Sequence, residues 1–169
     1  MIDLLKNKIL FLFKSLFFRF LITIRGGFIS PFAKLVIHPG STFKVGKKLR
    51  IKHGSVISIL PNAFLSIGDN CIINHNSTIY TSYNIVIGHN CRISHLCSII
   101  DHDYLIKNGQ VDYDQIKYGQ IKLGNNNWIG TNSVILMNCI FENNVVIGAS
   151  SIVKSKKIKK NMIYYDKKK

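Results

Sequence analysis

The residues most able to do chemistry meet in the short stretch DHDY at 101–104, where His102 stands between Asp101 and Asp103. Imidazole can accept and return a proton near neutral pH. The alternative is that this histidine has only a structural role, as a hydrogen-bond partner of Asp101 or Asp103. The stretch opens a segment, residues 101–122, that contains four of the eight acidic residues of the chain. Reactive side chains are therefore concentrated in this segment.

The four cysteines have no spacing that suits chemistry. Cys71, Cys91, Cys97 and Cys139 form no CxxC pair, so neither a zinc site nor a redox motif is indicated. Each follows an aliphatic residue by four positions, a place that serine fills in other parts of the chain. The shared position predicts small side chains that face inward, a role that suits free cysteine.

An aliphatic residue recurs with a period of six and organises most of the chain. The positions are Ile67, Ile73, Ile79 and Ile85, then Ile87, Ile93 and Ile99, and then Leu123, Ile129, Ile135, Phe141, Ile147 and Val153. Six is not a multiple of 3.6 but is a multiple of two, so a strand keeps these residues on one face and a helix does not. Three hexads close a triangular coil, and stacked coils share one core. The pattern predicts a mainly β protein, a parallel β-helix over residues 35–155.

The interruption of the repeat is informative as well. The period stops after Ile99 and resumes at Leu123, so a single coil ejects residues 101–122 as a loop. A loop of this length inside a compact domain usually serves a function. A second pattern lies outside the loop: His53, His75 and His95 share one place in successive coils, and Thr131 continues the row. These side chains should stack along one face, either as a hydrogen-bonded ladder or in a substrate groove.

The net charge of +15 on 169 residues indicates anionic partners. Basic residues crowd the N-terminal third and the tail at 156–169, whereas the middle is almost uncharged. A nucleic-acid protein would carry its basic residues on the structured face, so we expect no nucleic acid. The length fits one domain.

The first 34 residues form a separate apolar and basic segment, which we expect to be helical. Lys14 and Arg19 interrupt its apolar run, so a spanning helix is disfavoured. Residues 2–25 instead favour an interfacial helix whose phenylalanines supply apolar bulk and whose cations Lys6, Lys8, Lys14, Arg19 and Arg25 reach anionic headgroups. The alternative is a helix packed on the protein's own core or on a neighbouring subunit.

The runs SIIDHDY, NNNWIGTNSVIL and VVIGASSIVKS resemble the hexapeptide-repeat O-acetyltransferases, a family that includes the galactoside and maltose acetyltransferases. SIIDHDY is most similar to the branch that modifies lipopolysaccharide and capsule. The resemblance covers residues 45–155. It implies a left-handed β-helix, a homotrimer, acetyl-CoA as co-substrate, and a sugar or lipid-linked saccharide as acceptor. It also implies a cytoplasmic location, with the N-terminal segment adding a peripheral contact at the inner membrane.

The resemblance also implies roles for individual residues. His102 matches the general base at the start of the ejected loop, and Asn74 matches an active-site asparagine. Ser82 stands where galactoside enzymes have an acidic substrate contact, and Trp128 lines the groove. Substrate contacts are therefore expected from Ser82, Asp103, Tyr104 and Trp128. Cofactor contacts are expected from Thr131, Ala149, Lys154 and Ser155.

Two other functions use the same fold. A γ-type carbonic anhydrase would need three histidines on one zinc ion across a subunit boundary. The chain has His75, His95 and His102, but not with that family's spacing. A scaffold without chemistry would have no need of the DHDY loop.

Overall fold

The computed structural model describes residues 2–166, and their side chains from residue 10 onward. One helix, α1 (Ile2–Ile24), precedes a solenoid of short strands. No helix in the described range is both long and apolar enough to cross a membrane. The chain is a left-handed parallel β-helix of about six coils, as the six-residue period and the resemblance predict.

The strands are short because each hexad supplies only one side of a triangular coil. In chain order they are β1 (Phe28–Ile29), β2 (Lys34–Ile37), β3 (Thr42–Val45), β4 (Arg50–Ile51), β5 (Val56–Ile59), β6 (Phe64–Ile67), β7 (Ile72–Ile73), β8 (Thr78–Thr81), β9 (Asn84–Ile87), β10 (Arg92–Ile93), β11 (Ser98–Ile100), β12 (His102–Lys107), β13 (Gln110–Tyr118), β14 (Ile121–Leu123), β15 (Trp128–Ile129), β16 (Val134–Leu136), β17 (Cys139–Phe141), β18 (Val146–Ile147), β19 (Ile152–Val153), β20 (Lys157–Ile158) and β21 (Ile163–Tyr164).

Three parallel sheets form the sides of the prism. Sheet A contains β1, β4, β7, β10, β15, β18 and β21, sheet B contains β2, β5, β8, β11, β16 and β19, and sheet C contains β3, β6, β9, β14, β17 and β20. When β12 and β13 are left out, every third strand pairs with the one above it, so each coil stacks on its neighbours. The inward column of sheet B runs from Ile57 through Ile79 and Ile99 to Ile135, all fully buried.

The corners need residues that tolerate a left-handed backbone. Between sheets C and A this position holds Asn70, Asn90, Asn126, Asn144 and Asn161, each with φ between 57° and 62°. Asparagine adopts this conformation more readily than other residues with a side chain. Neighbouring amides also bond to each other across coils, at 2.8 Å for Asn70 to Asn90 and 3.0 Å for Asn126 to Asn144. We call this edge of the prism the asparagine corner.

The four cysteines lie inside the prism as small, free and buried side chains, as predicted. Burial raises the pKa of the Cys97 and Cys139 thiols, which keeps them in the unreactive thiol form.

Helix α1 lies across the open N-terminal end of the solenoid. Phe18 packs on Phe43 with ring centroids 4.9 Å apart, and Ile22 is fully buried. The cations also face the solenoid: Lys14 Nζ donates to the His38 carbonyl at 3.0 Å, and the Arg19 guanidinium donates to the Ser30 carbonyl at 3.2 Å.

Arg19 also donates to the carbonyl of Ala33, and Arg25 donates to that of Val45. The expectation that Lys14, Arg19 and Arg25 reach toward lipid headgroups is therefore wrong, because these side chains are bound to backbone carbonyls of the first coil. Lys6 and Lys8 lie outside the described side chains.

The solenoid also continues past residue 155. Strands β20 and β21 fall within the segment that the sequence pattern assigned to a basic tail, because Ile158 still turns inward and is buried.

Candidate active site

The interruption of the repeat folds as an antiparallel hairpin of β12 and β13, with a register shift between Tyr104 and Leu105. The hairpin leaves the solenoid after Asp101 and returns at Gly119, whose N–H donates to the Asp101 carbonyl at 2.9 Å. It projects from the edge between sheets B and C, which we call the loop corner.

Asp101 is the anchor of the loop corner. Its side chain is fully buried, and its Oδ2 accepts hydrogen bonds from Thr81 Oγ1 at 2.6 Å, Tyr83 N at 3.0 Å and Asn84 N at 2.8 Å. Its Oδ1 accepts from Ser82 N at 2.8 Å. Four donors on its two oxygens match the four lone-pair sites of a carboxylate.

The coil below explains why a carboxylate is needed at this point. In the second coil the link from sheet B to sheet C is Leu60 to Ala63, and Ala63 N donates to the Leu60 carbonyl. In the third coil only Ser82 and Tyr83 link β8 to β9. This shorter turn presents three successive backbone N–H groups to the next coil, and such a concave cluster favours an anion. Asp101 supplies that anion from inside the chain.

The same carboxylate holds His102. The Nδ1 atom lies 3.2 Å from Asp101 Oδ1, and the side chain is 17% exposed. The Tyr80 ring meets the imidazole edge-on with centroids 4.8 Å apart. A neutral His102 that donates its Nδ1–H to this carboxylate leaves the Nε2 lone pair free. Nε2 has no hydrogen-bond partner among the described residues.

A cavity of about 370 Å³ opens beside His102, between the outer face of sheet B and the hairpin. Most of its wall is apolar. The lining residues are Leu60, Tyr80, Ile100, His102, Asp103, Tyr104, Ile116 and Leu136. A single base in a mainly apolar cavity is an arrangement that suits proton transfer at a bound substrate.

Several predicted residues gather around this cavity. Asp103 and Tyr104 line it, and Ser82 binds the anchor Asp101 through its backbone. Lys154, from the last coil, reaches Asp103 with 3.4 Å between Nζ and Oδ2. Ser155 follows at the same edge of the prism and has a left-handed backbone.

Other predicted residues lie elsewhere in the chain. Asn74 follows β7 at the edge between sheets A and B, where its Nδ2 donates to the Ile93 carbonyl at 3.1 Å. Thr131 and Ala149 are exposed at that same edge. Trp128 lies half exposed on sheet A, and its Nε1 donates to Ser94 Oγ at 2.9 Å. Within one chain, these four residues therefore lie away from the His102 cavity.

The histidine row lies at the edge between sheets A and B and is exposed. The His75 and His95 rings are stacked, with centroids 5.2 Å apart and planes at 3°. His53 instead packs against Phe32 at 4.9 Å. Within the described side chains, no three histidine, cysteine or acidic residues are placed to hold one metal ion. A zinc site of the carbonic anhydrase kind would have to be assembled between subunits.

Comparison with known proteins agrees with this geometry. A galactoside O-acetyltransferase of Escherichia coli K12 is 36% identical over 105 residues, which cover 59% of this chain and 48% of the relative. A variant of the N-acyltransferase AntD from Bacillus cereus, solved with dTDP-4-amino-4,6-dideoxyglucose and coenzyme A, matches with a TM-score of 0.62. That match has 18% identity and covers 79% of this chain and 77% of AntD. The fold is that of the hexapeptide-repeat acyltransferases.

A second solved structure with a similar fold is PerB from Caulobacter crescentus, in complex with CoA and GDP-perosamine. Its TM-score is 0.53 at 13% identity, over 79% of this chain and 55% of PerB. No protein-family model matches the chain. The chain spans about half the length of the galactoside O-acetyltransferase. The resemblance to hexapeptide-repeat acetyltransferases therefore holds in both sequence and fold.

Asp101 is the candidate-site residue for which the sequence alone gives the least indication, since it indicates only a hydrogen-bond partner for His102. A usable signal lies in the coil directly before the loop: eight residues lead from Ile79 to Ile87, whereas ten lead from Ile57 to Ile67 at the same corner of the preceding coil. The shorter spacing marks a corner whose geometry differs from the one before it.

Proposed function

We propose that the protein transfers an acetyl group from acetyl-CoA to a hydroxyl of a sugar, with His102 as general base. The observation that carries this proposal is the pairing of His102 Nδ1 with the buried carboxylate of Asp101 beside the cavity. This pairing fixes the tautomer that leaves Nε2 able to accept a proton. The galactoside O-acetyltransferase relative supports oxygen as the acceptor atom.

The reaction follows from the proton balance. A sugar hydroxyl is a weak nucleophile, so Nε2 accepts its proton as the oxygen attacks the thioester carbonyl. The tetrahedral intermediate then collapses, the carbon–sulfur bond breaks, and the imidazolium returns the proton to the departing thiolate. Asp101 stabilises the imidazolium formed between these two steps, since its charge lies 3.2 Å from Nδ1.

The donor and acceptor sites are proposed from the residues around the cavity. Lys154 and Ser155, with Lys156 and Lys157 after them, form a cationic segment that suits the phosphates of CoA. Asp103, Tyr104 and Ser82 lie on the hairpin side, where the acceptor would bind. Because AntD and PerB were crystallised with coenzyme A and nucleotide sugars, we take the acceptor to be an activated or lipid-linked sugar of surface polysaccharide synthesis. A reaction that uses acetyl-CoA in this way belongs to the cytoplasm.

We also propose a homotrimer. The outward side chains of sheet B carry no charge from β5 to β19, although sheets A and C expose arginine or lysine. They are Val56, Ser58, Thr78, Tyr80, Ser98, Ile100, Val134, Leu136 and Ile152. A second copy on this face would cover the cavity beside His102. The roles proposed for Asn74, Trp128, Thr131 and Ala149 would then require residues of one copy to meet His102 of another.

One assay tests the proposal. Purified protein would be incubated with acetyl-CoA and a panel of nucleotide sugars and glycosides, and CoA release and acetylated product would be measured. The panel would include amino sugars, because amide products would identify an N-acyltransferase like AntD.

The His102→Ala variant should lose about 10²- to 10⁴-fold in turnover while remaining folded. Near wild-type turnover in that variant would refute the base assignment. Light scattering tests the assembly, and a monomer at micromolar concentration would argue against the trimer.

A further inference from the structure

The outward face of α1 is apolar along the whole part of the helix whose side chains are described. The residues at i, i+3, i+4 and i+7 spacing on this face are Leu10, Leu12, Phe13, Leu16, Phe17, Phe20 and Ile24. Each is 44–67% exposed, which is unusual for large hydrophobic side chains. A continuous exposed apolar stripe indicates an interaction surface.

The helix therefore differs from an ordinary surface helix, because charged side chains face the protein while large apolar side chains face outward. Lys14 and Arg19 of the helix, and Arg25 directly after it, donate to carbonyls of the first coil, and Phe18 and Ile22 fill the end of the core. A helix that served only to cover the solenoid would turn its apolar side inward and its charges to water. This helix covers the solenoid with charged and apolar groups together and leaves a second apolar face free.

The surroundings of the stripe are mainly cationic. Residues 4–68 contain no acidic residue, and Asp69 accepts a hydrogen bond from the backbone of Lys47. The exposed cations at this end of the solenoid are Lys34, Lys44, Lys47 and Lys48 of the first coil and Arg50 at the start of the second. An apolar band within a cationic rim is complementary to the surface of a bilayer that contains anionic phospholipid.

We infer that α1 docks the protein on an anionic lipid bilayer by inserting this outward face, with the first-coil cations against the headgroups. Lys14 and Arg19 of α1 take no part, because they are bound to the protein's own backbone. This inference does not depend on acetyl transfer.

A second copy of the chain fits the stripe less well. Two such ends packed together would bring two mainly cationic rims into contact, and among the described side chains Asp69 is the acid beside them. The uncharged outer face of sheet B has no such rim, so contact between copies is favoured there and lipid is favoured at α1.

Vesicle sedimentation of the full chain tests the inference. Vesicles of phosphatidylcholine with phosphatidylglycerol should sediment the wild type, and those of phosphatidylcholine alone should sediment less. Combined Phe13→Ser, Phe17→Ser and Phe20→Ser changes should lower partitioning into the mixed vesicles by about tenfold or more. The matched control combines Met162→Ser, Ile163→Ser and Tyr165→Ser, three exposed apolar residues at the opposite end of the solenoid, and should partition like the wild type.

Fluorescence separates insertion from simple electrostatic adhesion. In a chain with Trp128→Phe, a Phe17→Trp probe should shift its emission to the blue on mixed vesicles, whereas a Tyr165→Trp probe should not. The inference is overturned if the wild type stays in the supernatant, if the three-serine variant sediments fully, or if Phe17→Trp gives no shift. It is also overturned if the three-serine variant has a lower mass than the wild type by light scattering, because the stripe would then hold another copy.

Discussion

Two corners of the same prism connect one sheet to the next in different ways. At the asparagine corner, the left-handed turn is repeated coil after coil, and each amide bonds to the amide of a neighbouring coil. At the loop corner, a shortened turn in one coil is followed by a long hairpin in the next. One buried carboxylate accepts hydrogen bonds from the backbone N–H groups of that turn. The first arrangement spreads its stability over many equivalent contacts. The second concentrates stability in Asp101, which also contacts the candidate base His102.

Removing the Asp101 carboxylate should therefore give the largest change in the protein. Asp101→Ala leaves Thr81 Oγ1 and three backbone N–H groups without their acceptor, at a cost of about 3 kcal/mol or more in the free energy of unfolding. Urea denaturation measures this loss. A change below about 1 kcal/mol would contradict the role of Asp101 as the anchor of the loop corner.

Asp101→Asn separates the two roles of that residue. Asparagine keeps the shape and one acceptor, so we expect a smaller loss of stability than in Asp101→Ala. Turnover should still fall by roughly 10²-fold or more, because the neutral amide neither fixes the Nδ1 proton nor stabilises imidazolium. Comparing the pH profile of turnover with that of the wild type checks this, since a merely structural role would leave the profile unchanged in shape.

The asparagine corner should tolerate change better. In Asn126→Ala we expect a loss of about 1–2 kcal/mol, which combines the left-handed backbone of an alanine with one lost amide bond. Asn126→Gly should lose less, because glycine adopts a φ of 58° without strain. Turnover should be unchanged in both. Reduced turnover in a folded Asn126 variant would show that the two corners are coupled.

The ion pair between Lys154 and Asp103 should give the smallest effect on stability. Both side chains are about half exposed, so Lys154→Ala should change the free energy of unfolding by no more than about 1 kcal/mol. If Lys154 binds CoA, the KM for acetyl-CoA should rise in Lys154→Ala. Asp103→Asn breaks the same pair and serves as the control. Equal effects of both variants on that KM would argue against direct phosphate binding by Lys154.

The sequence was most informative where the structure repeats. The period of six predicts the strands, the inward columns and the buried cysteines, because each depends only on which residues share a face. It also places the interruption at Asp101, and the resemblance names His102. The hairpin within residues 101–122 has no such period, and its pairing depends on a register shift that no spacing reveals.

The contacts that cross between distant parts of the chain were harder to predict. Asp101 meets a turn that lies about twenty residues earlier, and Arg19 meets carbonyls of a coil it precedes. The apolar phenylalanines of α1 divide between two faces, so that Phe18 is packed while Phe17 and Phe20 are outward. Composition predicts that the helix is both apolar and basic, but not which side faces the protein.

The contacts of Lys14, Arg19 and Arg25 have a consequence for aggregation. Parallel strands at the end of a solenoid present unpaired carbonyls and N–H groups to any other strand, and such edges recruit further chains. Here three cations occupy carbonyls of Ser30, Ala33, His38 and Val45, and the helix lies over the edge. The helix and these cations thereby cover the ladder of strands at this end, which disfavours end-to-end stacking of copies here.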